Sequence, residues 1–173
     1  MQVCIRPEKA EDYQAIAAVI EQAFGQKTEA ELVKKLRKKA AFIPDLSLVA
    51  VSAGRIVGHI LLYPVELVGN ESLRRSLSLA PLSVHPDFQR KGIGGQLIEA
   101  GLRKAKELGF ESATVVGYPA YYARFGFQRA SNWGLRLPFD APDEAFMALE
   151  LKEEGLKDVY GVVRFPPEYL DGL

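Results

Sequence analysis

The chain is poor in the residues from which stapled scaffolds are made. Among its 173 residues there is one cysteine, Cys4, and there are two histidines and one tryptophan. A single cysteine closes no internal disulfide, and a lone cysteine on a strand reads as a small core residue rather than a nucleophile. Nor is there an excess of either charge: lysine plus arginine and aspartate plus glutamate both number 22. That balance gives no argument for a nucleic-acid or anionic membrane partner. No stretch is apolar enough to span a bilayer, and Met1 to Arg6 lacks the apolar run of a signal peptide. The expectation is a cytoplasmic protein that folds without metal. With no repeat, linker or low-complexity segment to divide it, residues 1–173 read as one domain large enough for a proper core.

What the chain does have is concentrated between Leu77 and Phe127. An apolar strand ending at Val84 runs into the loop His85-Pro86-Asp87-Phe88-Gln89-Arg90-Lys91-Gly92-Ile93-Gly94-Gly95. An amphipathic helix follows, with Leu97, Ile98, Gly101, Leu102, Ala105 and Leu108 on one face and Gly109 as the stop. The first N–H groups of a helix lack intrahelical partners and carry the positive end of its dipole, so this junction suits a phosphate. Gly92 and Gly94 allow close approach, and Arg90 and Lys91 add positive charge. Two common phosphate motifs do not fit. A triphosphate loop needs Gly-Lys followed by Ser or Thr, and here the order is Lys91-Gly92-Ile93; a dinucleotide fingerprint needs a glycine where Leu97 stands.

The pattern Gln89-x-x-Gly92-x-Gly94 after Leu82-Ser83-Val84 resembles the acyl-coenzyme A loop of the GNAT superfamily of N-acetyltransferases. A second segment, Gly117-Tyr118-Pro119-Ala120-Tyr121-Tyr122-Ala123-Arg124-Phe125-Gly126-Phe127, resembles the place where that superfamily carries a tyrosine four residues before a Gly-Phe pair, which here is Tyr122. The Pro-x-Tyr-Tyr-x-x-Phe-Gly-Phe wording is similar to small stand-alone bacterial members. The resemblance implies a mixed α/β fold: a twisted sheet of about six to eight strands flanked by about four helices, with two strands splayed at the coenzyme site. It implies acetyl-CoA as cosubstrate, no metal, and direct attack by a bound primary amine, carried by a small molecule or a peptide. Its coenzyme contacts fall on Leu82, Ser83, Val84, Gln89, Arg90, Lys91, Gly92, Ile93, Gly94 and Gly95.

The rest of the chain supplies the frame. Val3 to Ile5 is a short strand candidate. Tyr13, Ile16, Ala17, Ile20 and Phe24 follow helical spacing up to Gly25, and Thr28-x-x-Glu31 reads as a capping box opening a second helix through Leu36. Leu46 to Ser52 and Arg55 to Val68 flank Ala53-Gly54 as a hairpin, with Pro64 requiring a bulge, bend or edge. His59 reads as a satisfied or half-exposed sheet histidine, in preference to a catalytic base. Pro81, in the strand Leu73 to Val84, favours a bulge that turns a neighbouring amide such as that of Leu82 into a cleft. Glu111 to Val116 is the next strand, and Tyr121 to Phe125 a short helix. Residues 132–173 form a strand-rich extension around Trp133–Leu137, Phe146–Leu151 and Val159–Phe165. Its strands offer a means of pairing across a homodimer.

Acetyl transfer to an amine needs stabilisation of charge on the carbonyl oxygen, which backbone amides near Leu82 can supply, and a proton for the departing thiolate. A phenol with a pKa near ~10 is a workable donor, the role the resemblance gives Tyr122, with Tyr121 and Tyr118 as neighbours of the same chemistry. The base is not evident: Ser78, Ser83 and Thr114 are weak, and Glu66, Asp87 and Glu111 are the nearby carboxylates. Where many relatives carry a coenzyme-contacting asparagine, this chain has Val115. Those departures leave a second reading, a coenzyme A-binding sensor or interaction module without turnover.

Overall fold

A computed structural model describes residues 2–171. A nine-stranded sheet has the order β1-β2-β3-β4-β5-β8-β6, with β9 pairing β3 and β7 pairing β9. The strands are β1 (Cys4–Pro7), β2 (Ser47–Ser52), β3 (Arg55–Val68), β4 (Leu73–Val84), β5 (Ser112–Val116), β6 (Gln128–Arg129), β7 (Leu135–Arg136), β8 (Phe146–Glu150) and β9 (Gly161–Arg164). β6 and β7 are two residues each, which accounts for the excess over the expected count. Four helices flank the sheet: α1 (Tyr13–Phe24), α2 (Thr28–Arg37), α3 (Ile93–Glu107) and α4 (Pro119–Tyr122).

Alternation along the strands sorts the two faces. Ile16, Ile20, Val33 and Leu36 of α1 and α2 bury against Val49, Leu61 and Tyr63. On the other face Leu97, Ile98 and Ala105 of α3 bury against Ile60, Leu62, Leu77 and Leu79. Odd and even positions of β3 thus serve different cores, the period-two signature of a sheet covered on both sides. A third cluster, with Val65, Leu67, Phe146, Ala148 and Val163, lies under the extension, and Trp133 packs against it as a core residue. The extension is built into the sheet: β8 pairs β5 over five residues, and β9 pairs β3 at Glu66 to Val68. These strands therefore already have partners within the chain.

Two local expectations need correction. Cys4 is exposed, because the strand starting there presents it to solvent. The Thr28-Glu31 box does not form: Thr28 is already the first helical residue, Lys27 occupies the cap position without a side-chain bond, and Gln26 instead donates to Glu29 at 2.6 Å. Pro64 lies at a local edge, as one of its expected settings required: it causes no register shift and falls between the end of β2 pairing at Leu61 and the start of β9 pairing at Glu66. The shift in the β3–β4 ladder occurs opposite Pro81, where Ile60 pairs Leu82 but Leu62 pairs Leu79. Ala80 and Pro81 together face Leu61, which is the bulge the proline required.

Candidate active site

The bulge and the register beyond it decide where the backbone of β4 points. From Ile60/Leu82 to Gly58/Val84 the ladder is regular, and the His85 N–H donates to the Val57 carbonyl at 2.8 Å. In an antiparallel ladder bonded and non-bonded pairs alternate. His85 and Ser83 therefore exchange bonds with β3, whereas the N–H and C=O groups of Leu82 and Val84 point the other way, toward β5. There the ladder has all but ended: β4 and β5 register at a single pair, Ser78 with Thr114. Past that pair the two strands part, and the Leu82 amide and carbonyl and the Val84 amide face the gap. The Val84 carbonyl accepts from the Gln89 side chain at 3.0 Å, which ties the loop to the strand end.

The loop then delivers the α3 N-terminus to the same gap. Gly92 caps the helix with φ of 81°, a left-handed conformation that glycine adopts at little cost. Gly94 is a close approach of another kind. A Cβ there would stand 2.9 Å from the Tyr121 hydroxyl and under 4 Å from Leu82 and Val84 side chains. The result is a cleft of about 820 Å³ between β4, α3 and α4. It brings together Leu82, Val84, Gln89, Arg90, Gly92, Gly94 and Gly95. Lys91 is exposed beside it, its Nζ 5.6 Å from the Phe88 ring centroid. Two predicted positions lie elsewhere: the Ile93 side chain is core, and Ser83 is buried on the opposite face of β4.

The tyrosines divide in a way the sequence could not resolve. Tyr121 lines the cleft beside Tyr118, Arg124 and Phe125. Tyr122 sits behind it, edge-on to Tyr121 at 5.1 Å and to Phe127 at 5.9 Å, against Gly117 at the end of β5. Burial first, and Tyr121 second, push the Tyr122 phenol up to about 12. Such a group stays protonated at neutral pH and is no base there. Gln96, Glu99, Arg124 and Phe125 also line the cleft, beyond the positions that the motifs single out. A signal for them exists, since Gln96 and Glu99 follow Gly92 at helical steps and Arg124 lies one turn from Tyr121.

Glu66, Asp87 and Glu111 are not among the residues lining this cleft, and Glu99 is the carboxylate that does line it. Glu66 pairs with Arg164 (Nε at 3.0 Å) and Glu111 with Arg74 at 3.3 Å, both at ends of their strands remote from Val84. Asp87 is exposed in the turn before α3. Thr114 donates to the Leu77 carbonyl at 2.9 Å. Among the described residues no group of His, Cys, Asp or Glu is placed to hold a metal, and no helix is long and apolar enough to cross a membrane.

Residues 4–130 match the acetyltransferase (GNAT) domain family. This chain belongs to that family. It is 32% identical over 162 residues to the uncharacterized N-acetyltransferase YhbS of Escherichia coli K12, covering 93% of this chain and 95% of that one. YjhQ of the same organism, also named an uncharacterized N-acetyltransferase, is 37% identical over 134 residues, 77% of this chain and 74% of its own. The crystal structure of E. coli YhbS in complex with CoA superposes with a TM-score of 0.91 at 31% identity, over 98% of this chain and 93% of that one. A GNAT acetyltransferase from Brucella melitensis in complex with acetyl-CoA gives 0.78 at 32% identity, over 97% and 98%.

Proposed function

We propose that this protein is an N-acetyltransferase that moves an acetyl group from acetyl-CoA to a primary amine by direct attack in a ternary complex. The observation that carries this reading is the pairing of two features in one cleft: a strand end whose backbone donors face away from its ladder, and a glycine-opened helix N-terminus. The residues present suit the cosubstrate. The first amides of α3, from Ile93 to Gly95, suit its pyrophosphate, and Arg90 and Lys91 add screening charge. The Leu82 and Val84 backbone suits the amide-bearing pantetheine arm, as strand addition does for an extended peptide. Bound there, acetyl-CoA supplies an activated thioester.

The roles of the chain's own groups follow. The Leu82 N–H, fixed before substrate arrives, donates toward the carbonyl oxygen as negative charge grows on it. Tyr122 is the group the family likeness implies as proton donor to the sulfur, and burial keeps its phenol protonated at neutral pH. The family likeness to chains crystallised with CoA and acetyl-CoA supports acetyl-CoA as the cosubstrate.

Calorimetric titration with acetyl-CoA beside ATP and NAD tests the reading, followed by a thiol-release assay with spermidine, glycinamide, an aminoglycoside and a lysyl peptide as acceptors. Saturable binding of acetyl-CoA alone, with thiol release dependent on one of these amines, is the expected result. Equal binding of ATP or NAD would remove the coenzyme assignment. Acetyl-CoA binding without turnover by any amine would favour the sensor reading.

A further inference from the structure

On the α1 side of the sheet a second groove, of about 530 Å³, opens between α1, the turn joining β2 to β3 and the end of β4. Arg55, the first residue of β3, and His85, the residue after β4, both line it. His85 is buried and also belongs to the coenzyme loop, where its Nδ1 accepts from the Asp87 N–H at 3.1 Å. Backbone geometry sets that contact, because the Phe88 N–H donates to the His85 carbonyl at 2.8 Å and closes the same turn. The Asp87 carboxylate, 3.9 Å from Nδ1, is beyond hydrogen-bond reach. Nδ1 is therefore the lone-pair nitrogen, and the neutral ring carries its proton on Nε2.

His85 Nε2 lies 3.1 Å from Arg55 Nη2. A guanidinium donates and never accepts, so two N–H donors meet with no acceptor between them. The neighbouring charges do not relieve this. Arg6, in the same groove, gives bonds of 2.7 and 3.1 Å to buried Asp12. Arg55 rests against Phe88, its Cζ 5.4 Å from the ring centroid, and Lys91 stands 5.6 Å from the same centroid. Among the described residues neither Arg55 nor Lys91 forms an ion pair. With Arg6 and Asp12 cancelling, the groove holds one cation, Arg55, against one anion, Glu11. A dianionic phosphate finds too little positive charge there. A single carboxylate offers one oxygen to each donor, and Ala18, Val19 and Ile56 give its hydrocarbon an apolar wall.

We propose that this groove binds a monocarboxylate with a short apolar body, one oxygen accepting from Arg55 Nη2 and the other from His85 Nε2, and that its occupancy firms the coenzyme loop. The groove and the coenzyme cleft share no lining residue. His85 is the link between them. An imidazole whose Nε2–H donates to a carboxylate accepts more strongly at Nδ1, so the turn Pro86–Phe88, which leads to Gln89 and Gly92, is held more tightly. By reciprocity, acetyl-CoA in its cleft raises the affinity for the carboxylate by the same factor. The groove as a binding site is independent of the acetyltransferase reading, and the link to the loop rests on it.

Sodium hexanoate is the probe. In nitrogen-15 spectra at pH 8, with the ring assigned through His85→Gln, His85 should be the Nε2–H tautomer, and its signals should move saturably as hexanoate is added. Hexanamide keeps the hydrocarbon and loses the charge, and it should bind at least about 10-fold more weakly. Hexanoate should bind Arg55→Gln weaker by a similar factor, with an unchanged thermal midpoint because Arg55 is exposed. An Nδ1–H tautomer, equal binding of hexanamide, wild-type hexanoate affinity in Arg55→Gln, or tighter binding of inorganic phosphate at the same signals would overturn the site. Calorimetry with saturating hexanoate should show acetyl-CoA bound about 5-fold more tightly by the wild type and with no gain by Arg55→Gln. Unchanged acetyl-CoA affinity in the wild type would overturn the link to the loop. Failure of acetyl-CoA to bind with or without hexanoate would instead overturn the coenzyme assignment, while the spectra still decide the carboxylate site.

Discussion

Acid should destabilise this protein in large part through Glu8, as pH falls from 4.5 toward 2. The Glu8 side chain is 3% exposed between Arg37, Ser47 and His59. Burial alone would raise its pKa, but hydrogen bonds from His59, Arg37 and Ser47 and the Arg37 charge hold it down at about 2, against an ordinary 4.5. At about 1.4 kcal/mol for each tenfold, the gap is worth about 3 kcal/mol, a large share of a typical 5–15 kcal/mol of stability. The folded-state pKa is the lower one, so the contribution is complete above pH 4.5 and is lost as pH falls toward 2. His59 acts in the same direction in an earlier window. Its folded pKa also lies below the unfolded value, so its share begins to go as pH falls through 6.5. Urea unfolding of the wild type and Glu8→Gln between pH 7 and pH 2 separates the two. The variant should be weaker at neutral pH, and the difference should close by about 3 kcal/mol over the lower window only. Two curves that run parallel from pH 4.5 to pH 2 would refute the assignment of this buried carboxylate as ionised and paired.

Four further outcomes follow from the site. Gly94→Val places a branched side chain against the Tyr121 hydroxyl and over the first amides of α3, so calorimetry should show acetyl-CoA binding weakened about 10–100-fold, the loss of one or two charge-assisted bonds, with a thermal midpoint near wild type. Gly92→Ala behaves differently: its Cβ meets open space, but φ of 81° costs an L-residue about 1–2 kcal/mol, which should appear as a midpoint several degrees lower. Tyr122→Phe should lower kcat by about 10²-fold or more with acetyl-CoA affinity retained, and unchanged turnover would end its role as proton donor. Tyr169→Phe removes the bond from its hydroxyl to the Ala80 carbonyl at 3.0 Å, and denaturant titration should record a loss of about 1 kcal/mol.

Much of the frame was legible because it depends on periods that a sequence displays. The 3.6-residue spacing of α1 and α3, the β-branched run of β5 and the proline in β4 each correspond to one local cause, and each produced the element expected. The failures share a physical origin. Cys4 is exposed and Thr28 lies inside its helix because a strand's face and a helix's first residue are chosen by what packs against them, and tertiary contacts outweigh the local signal. In the extension the strands were legible but their pairing was not, because β7 has only two residues and β8 finds its partner β5 some thirty residues back in the chain.

The site was legible as a motif but not as a set of facing atoms, and the difference matters for mechanism. Spacing located the glycine loop and the Tyr121–Tyr122 pair, yet only the ladder phase, fixed by one bond from His85 to Val57, shows that Leu82 and Val84 turn their backbone toward the gap while Ser83 turns its side chain to the other face. The same alternation joins Ser83 to His59, residues separated in sequence by the whole of the β3–β4 turn. A bulge at Ala80-Pro81 shifts the register by one residue, so the strand before it and the strand after it present opposite parities to each face. Without that shift the position of Leu82 would fall in the bonded phase of the ladder, its amide spent on β3. One proline thus accounts both for the free donors on the coenzyme side and for the register that sets Ser83 across the ladder from His59.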